Sequence, residues 1–71
     1  VLKHEEELSS SSLPDAVKQQ IKTEFNGYRI DEVKKIEEGG KVSYAVDLDS
    51  RQGDLKVLFD ADGKILKERM D

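Results

Sequence analysis

The spacing of apolar residues predicts one helix in the first third of the chain. Val17, Ile21 and Phe25 recur at intervals of four, and polar residues occupy most of the positions between them. An interval of three to four residues places side chains on one face of an α-helix, which can then pack on a core. Leu13 leads into this stripe, so we predict a helix over residues 13–25.

Residues at both ends of this segment are typical of helix termini. Ser12 is the predicted N-cap, and Asp15 lies three residues later, in the position of a capping-box acid. Pro14 falls in the first turn, where its missing N–H costs nothing. Gly27 follows the last apolar residue and is the predicted left-handed residue after the helix.

The rest of the chain predicts strands separated by short turns. The clearest run is 41–49, in which every second residue is apolar: Val42, Tyr44, Val46 and Leu48. Strands are predicted over 28–37, 41–49, 54–60 and 64–70, with turns at 50–53 and 60–63 and a Gly39-Gly40 pair after the first strand. Connections this short make neighbouring strands antiparallel.

The first of these strands has an irregular apolar spacing. Ile30, Val33 and Ile36 lie three residues apart, which fits neither strict alternation nor a long helix. A β-bulge near Asp31-Glu32 would account for the change of parity between Ile30 and Val33.

Together these elements predict an α+β domain, with one N-terminal helix on a four-stranded antiparallel meander and an extra N-terminal strand-like segment. Phe25, Tyr44 and Phe59 are predicted to lie in the core. A single helix leaves the second face of the sheet uncovered, and an apolar patch there is the predicted interaction surface. Its expected residues are Ser43, Ala45, Lys56, Leu58, Leu66 and Met70.

The amino-terminal segment resembles the end of the chain. Residues 1–6 align with 65–70 as an apolar residue, Leu, Lys and then mostly charged residues. We therefore interpret residues 1–12 as the terminal strand of a preceding repeat followed by a serine linker, and 13–71 as a single domain; the chain would then be an excerpt of a longer protein. A spare strand edge favours association with another protein or with a second copy, by strand exchange or as a dimer.

The composition of the chain argues against several classes of partner and of chemical site. The chain has 71 residues, 39% of them charged, a formal net charge of -4 and no cysteine. An acidic balance without a basic stripe argues against nucleic acid as a partner. No apolar run approaches the length of a membrane span, so membrane insertion is not expected. Without cysteine there is no disulfide, thiolate metal site or thiol nucleophile.

The order of motifs resembles the PepSY-like domains of exported bacterial proteins. The matching stretches are the Leu-Pro start at 13–14, the Phe-Asn-Gly-Tyr run at 25–28, the strand at 41–48 and the Phe-Asp-x-x-Gly-Lys turn at 59–64. The resemblance implies one helix on a four-stranded sheet, similar to the beta-lactamase inhibitor proteins and often in tandem. It also implies a periplasmic or cell-surface location and a role in binding or restraining other proteins. It implies no catalytic residues.

Candidate chemistry is sparse. Asp60 and Asp62 share a spacing with calcium loops, but the next ligands of such a loop are missing, so we expect them to serve a turn. His4, as the sole histidine, is expected at the surface, and the run Glu5–Glu7 is expected to be solvated or to protect a strand edge. We predict a non-enzymatic module with no catalytic, metal or cofactor site.

One alternative function stays open. Asp47 and Asp49 share a strand face, and with Tyr28 they could form the site of a small-ligand or cation carrier or of a minor enzyme. A solvated outer surface with weak ion pairs is the simpler interpretation of these carboxylates.

Overall fold

The described part of the chain forms one antiparallel sheet and one α-helix, with a short 3-10 turn before the helix. The structure, a computed structural model, describes residues 3–70, so Val1 and Leu2, on which the match to the carboxyl-terminal strand partly depends, lie outside the described residues. The strands are β1 Lys3–Leu8, β2 Arg29–Glu38, β3 Lys41–Ser50, β4 Gly53–Asp60 and β5 Ile65–Met70, and helix α1 is Asp15–Glu24. The sheet order is β1-β2-β3-β4-β5, which confirms the α+β class and the meander, with the amino-terminal segment as a fifth strand.

Helix α1 begins two residues later than predicted. Ser10–Ser12 form a short 3-10 helix, so Ser12 is not the N-cap of α1, and its hydroxyl lies 3.2 Å from that of Ser9. Pro14 occupies the N-cap position instead, with no side-chain cap. The residue before a proline is disfavoured in the helical region, and Leu13 is accordingly extended. The serine tract predicted as a flexible linker therefore has a hydrogen-bonded turn of its own.

The carboxyl end of helix α1 follows the prediction. The backbone N–H of Phe25 donates to the carbonyl of Ile21 at 2.8 Å, and Gly27 has a φ of 95°. Such a positive φ is the left-handed conformation that glycine adopts at little cost. This exit turn reverses the chain, which then returns along the sheet as β2.

The predicted bulge in β2 is confirmed, because the pairing register of β2 with β3 shifts between Ile30 and Glu32. Ile30 pairs with Leu48 and Val33 with Val46. The bulge thus keeps Ile30 and Val33 on the same face of the sheet despite their odd separation.

The core lies between helix α1 and the sheet face that the helix covers, here called the inner face. Its buried residues are Leu13, Val17, Ile21, Phe25, Val33, Val46, Leu48, Val57 and Phe59. Phe25 and Phe59 meet edge to face with ring centroids 6.4 Å apart, and Tyr44 packs against the cluster from a half-buried position. The core placement predicted for the three aromatic residues is confirmed.

Candidate functional site

The sheet face opposite helix α1, here called the outer face, carries apolar residues at its centre. Ala45 on β3 is paired directly with Leu58 on β4, and Ile36 on β2 is paired with Ser43 on β3. Paired residues of an antiparallel sheet lie on the same face, with side chains close enough to touch. Ile36, Ala45 and Leu58 are half-buried, although no second layer covers this face within residues 3–70.

Leu66 joins these residues because of an irregularity between β4 and β5. Leu58 is paired with Lys67 and Phe59 with Ile65, so Leu66 is an extra residue in β5. Leu66 is 51% exposed. An open groove of about 530 Å³ is lined by both Ile36 and Leu66. We refer to Ile36, Ala45, Leu58 and Leu66 as the outer patch.

Two of the predicted interaction residues differ in character from the rest. Lys56 is paired with Asp47 on the outer face and is exposed, so it lies at the polar margin of the outer patch. Met70, which was expected on the outer face, is paired with Leu55 and therefore lies on the inner face. The cause is the extra residue at Leu66, which shifts the alternation of β5 by one position.

Ile36 was not predicted as part of this surface. It lies three residues after Val33, and an odd separation along a regular strand places two side chains on opposite faces. Since the bulge precedes Val33, the regular part of β2 carries Ile36 to the outer face. The three-residue spacing from Val33 to Ile36 was therefore the feature of the sequence that could have placed Ile36 on the outer face.

The two edges of the sheet carry opposite charge on the outer face. At the β1 edge, Glu5 is paired with Ile36 and Glu7 with Lys34, so both carboxylates lie on this face. At the β5 edge, Lys67 and Arg69 are paired with Leu58 and Lys56 and share the same face. All residues of β1 except Leu8 are exposed, including His4, as predicted. The outer patch thus lies between an acidic edge and a basic edge.

The chain matches the model of one protein family over most of its length. The family model described as "Putative beta-lactamase-inhibitor-like, PepSY-like" matches residues 1–67. The chain belongs to the PepSY-like family. The match includes the residues of β1, which therefore form part of the region that the family model covers.

A solved structure supports the same fold for this PepSY-like domain. The crystal structure of a DUF2874 family protein from Bacteroides uniformis superimposes with a TM-score of 0.89 at 19% sequence identity. The superposition covers 97% of this chain and 54% of that one, so the PepSY-like domain spans about half of that protein. No curated protein sequence matches the chain.

The alternative site around Asp47, Asp49 and Tyr28 is divided in the folded domain. Asp47 and Asp49 border a cavity of about 40 Å³ on the outer face, together with Asp31 and Asp54. Tyr28 instead lines a shallow depression between the helix exit and the turn from β3 to β4, and its ring meets that of Phe25 edge to face. The structure therefore does not bring the three proposed groups to one place.

The Asp60 carboxylate stabilises the turn between β4 and β5, as predicted. Its Oδ1 atom accepts hydrogen bonds of 2.9 Å from the backbone N–H groups of Asp62 and Lys64. The Asp60 backbone also pairs with Lys64, whose carbonyl accepts from the Asp60 N–H at 2.9 Å. Within residues 3–70, no group of three or more His, Asp or Glu side chains is arranged to hold a metal ion.

Proposed function

We propose that this PepSY-like domain is a non-catalytic protein-binding module of an exported protein, and that it contacts its partner through the outer face. The observation that carries the proposal is the outer patch, a group of apolar side chains at the centre of a sheet face on which no helix of the described residues lies. Antiparallel sheets commonly expose one face to water, and that face is then normally polar.

The arrangement around the outer patch also supports this proposal. Charged residues surround it, among them Lys34, Asp47 and Lys67. Protein interfaces have the same organisation, an apolar centre that loses water on binding and a polar rim that stays hydrated. The outer patch is small, so we expect a contact of modest area and affinity.

The family supports a role in protein binding, since its description is beta-lactamase-inhibitor-like. An inhibitor acts by occupying the surface of another protein and needs no reactive group of its own.

We further propose a periplasmic or cell-surface location, in keeping with the resemblance to domains of exported bacterial proteins. No helix in the described part of the chain is long and apolar enough to cross a membrane.

Substitutions on the two sides of the domain test the proposal. Leu58→Lys and Ala45→Glu place charges in the outer patch, whereas Gln19→Lys and Thr23→Glu add the same charges to the exposed surface of helix α1. Association with a purified serine beta-lactamase, and of the domain with itself, is measured for all four variants by light scattering and calorimetry. Loss confined to the outer-patch pair supports the proposal, and full retention by that pair contradicts it.

A further inference from the structure

Strand β1 lies at one edge of the sheet and is held mainly by its pairing with β2. It has a single partner strand, and residues 3–7 are all exposed. Leu8 is half-buried and packs against the core, but none of the buried core residues described above lies on β1. Separation of β1 from β2 would therefore expose little apolar surface and would leave the core beneath helix α1 in place.

The edge of β2 that β1 covers, here called the β2 edge, matches β1 in charge. Opposite charges face each other in three of the six pairs: Lys3 with Glu38, Glu6 with Lys35, and Glu7 with Lys34. Opposite charges paired across antiparallel strands attract, whereas like charges repel. The hydrogen bond and charge attraction of Glu37 are the main cause of the raised pKa of Lys35, and the Glu6 carboxylate across the strand adds to it.

Once β1 lies beside β2, the same residues select one register. The nearest alternatives that keep every side chain on its own face are shifts of two residues. A shift in one direction would place Glu5 opposite Glu38 and Glu6 opposite Glu37, which are two pairs of like charge. A shift in the other direction would move Leu8, the apolar residue of β1, from Val33 to the bulge. The β2 edge is thus a site for an extended segment with the residue order of β1.

The segment that joins β1 to the core is short and exposed. Residues 9–12 are all exposed, and Leu13, which is 3% exposed, fixes the end of this segment in the core. The backbone N–H groups of Ser12 and Leu13 donate to the carbonyls of Ser9 and Ser10 at 3.0 and 3.3 Å. Water can replace these bonds when the segment straightens, and four extended residues span about 13 Å. Strand β1 can therefore leave β2 while Leu13 stays buried.

From this pairing and this hinge we infer that the β2 edge exchanges β1 between copies, so that β1 of one copy takes the same register on β2 of a second copy. The occupant is a second copy because its β1 carries the residue order that the β2 edge selects. All six pairs and the contact of Leu8 with the core are re-formed after the exchange, so the interactions of β1 are kept. The inference goes beyond the proposed function, because it concerns the β2 edge and not the outer patch.

Peptides that carry the sequence of β1 test the selectivity of the β2 edge. In the parent, the chain's own β1 competes at a local concentration of about 1 mM or above. The variant Glu6→Lys/Glu7→Lys weakens this competitor, because its lysines face Lys35 and Lys34. A synthetic peptide of residues 3–12 should bind this variant at least about tenfold more tightly than it binds the parent. NMR titration of the ¹⁵N-labelled chain, followed at the β2 amides, measures both affinities.

Two control peptides separate this site from general charge attraction. A peptide with residues 3–8 in reversed order has the same composition, but it places Glu opposite Glu37 and Lys opposite Val33. It should bind the variant at least about tenfold more weakly than the native peptide. A peptide with Glu6→Lys/Glu7→Lys should also bind weakly, and this preference should reverse in the chain Lys34→Glu/Lys35→Glu. Equal binding of the three peptides would contradict the inference.

Spin labels test the exchange itself in the full chain with its β2 edge unchanged. The chain has no cysteine, so His4→Cys places one label on β1 and Gln19→Cys places one on the exposed surface of helix α1. Each labelled chain is mixed at about 1 mM with the ¹⁵N-labelled parent. The label on β1 should broaden parental amides most strongly around Glu37, the residue opposite His4, and the label on helix α1 should not. No broadening, or broadening at β2 from both labels alike, would show that β1 is not exchanged.

Discussion

Gly63, in the turn between β4 and β5, packs against the backbone of Ala16 in the first turn of helix α1. A Cβ atom built on Gly63 would lie 2.6 Å from the carbonyl oxygen of Ala16. The turn therefore touches the start of the helix, and glycine is the residue that permits this approach. Its φ of 87° adds a second reason, since other residues rarely adopt such a conformation.

We predict that Gly63→Ala destabilises the domain far more than Gly40→Ala. The two glycines have similar positive φ values, 87° and 80°, but a Cβ on Gly40 would meet no atom within 4 Å. Gly40→Ala should therefore cost about 1 kcal/mol from backbone conformation alone, and Gly63→Ala about 2 kcal/mol more from the clash. Urea unfolding measures both. Equal losses would show that the turn does not contact the helix.

The Asp60 carboxylate gives a second prediction. Asp60→Ala removes an acceptor of two backbone hydrogen bonds and should lower the free energy of unfolding by about 1–2 kcal/mol. Asp60→Asn keeps an acceptor oxygen and should cost less. Asp62→Ala is the control, because its side chain is exposed and should change stability by less than about 0.5 kcal/mol. Thermal unfolding measures the stability of all three variants. If Asp62→Ala were the least stable of them, the result would contradict the turn geometry.

Val42 and Val46 test the position of the core along one face of β3. Val46 is fully buried beneath helix α1, whereas Val42 is half-buried and lies outside the core cluster. Val46→Ala should cost about 2–3 kcal/mol through lost burial and a cavity. Val42→Ala should cost less than about 1 kcal/mol, because Val42 is already partly exposed and little apolar area is lost. Guanidinium unfolding measures the loss of stability in both variants. A larger loss for Val42→Ala than for Val46→Ala would show that the core lies elsewhere along β3.

Lys35 and Glu37 give a prediction of pH dependence. The Glu37 carboxylate lies 3.2 Å from the Lys35 ammonium, and this hydrogen bond and charge attraction raise the pKa of Lys35 above its ordinary value. A raised pKa in the folded state stabilises the protein below the pKa of the unfolded chain, and the contribution is lost as pH rises through the folded value. The pair is exposed, so its effect on stability is small.

Glu37→Gln should therefore move the pKa of Lys35 down towards its ordinary value, and Glu38→Gln, on the other face of β2, should move it far less. Titration of the lysine side-chain resonances by NMR measures both shifts. An unchanged pKa in Glu37→Gln would show that the pair does not form in solution.

Local periodicity explains why so much of the fold could be predicted. The four-residue interval of Val17, Ile21 and Phe25 and the alternation in 41–49 each reflect burial on one face of a regular element. The β2 bulge was also predictable, because it changes the parity of apolar residues within a few positions. The pairing of β1 with β2 could not be predicted in this way. It is a long-range contact, and β1 is an exposed, charged strand whose residue pattern does not indicate a partner.

The interaction surface could be predicted only in part, for a related reason. Alternation assigned Ala45 and Leu58 to the outer face because β3 and β4 are regular there. It failed for Met70, because the extra residue at Leu66 shifts the parity of β5, and nothing in the sequence marks that irregularity. Ile36 was not predicted, although its three-residue spacing from Val33 in a regular strand places it on the outer face.

The most direct test of the proposed function is a map of amide chemical shifts. The ¹⁵N-labelled domain is titrated with a serine beta-lactamase and, separately, with unlabelled domain. We expect the perturbed amides in at least one titration to cluster on the outer face, around Ile36, Ala45 and Leu58. Perturbations confined to helix α1, or none in either titration up to about 1 mM, would contradict the claim that the outer face binds protein.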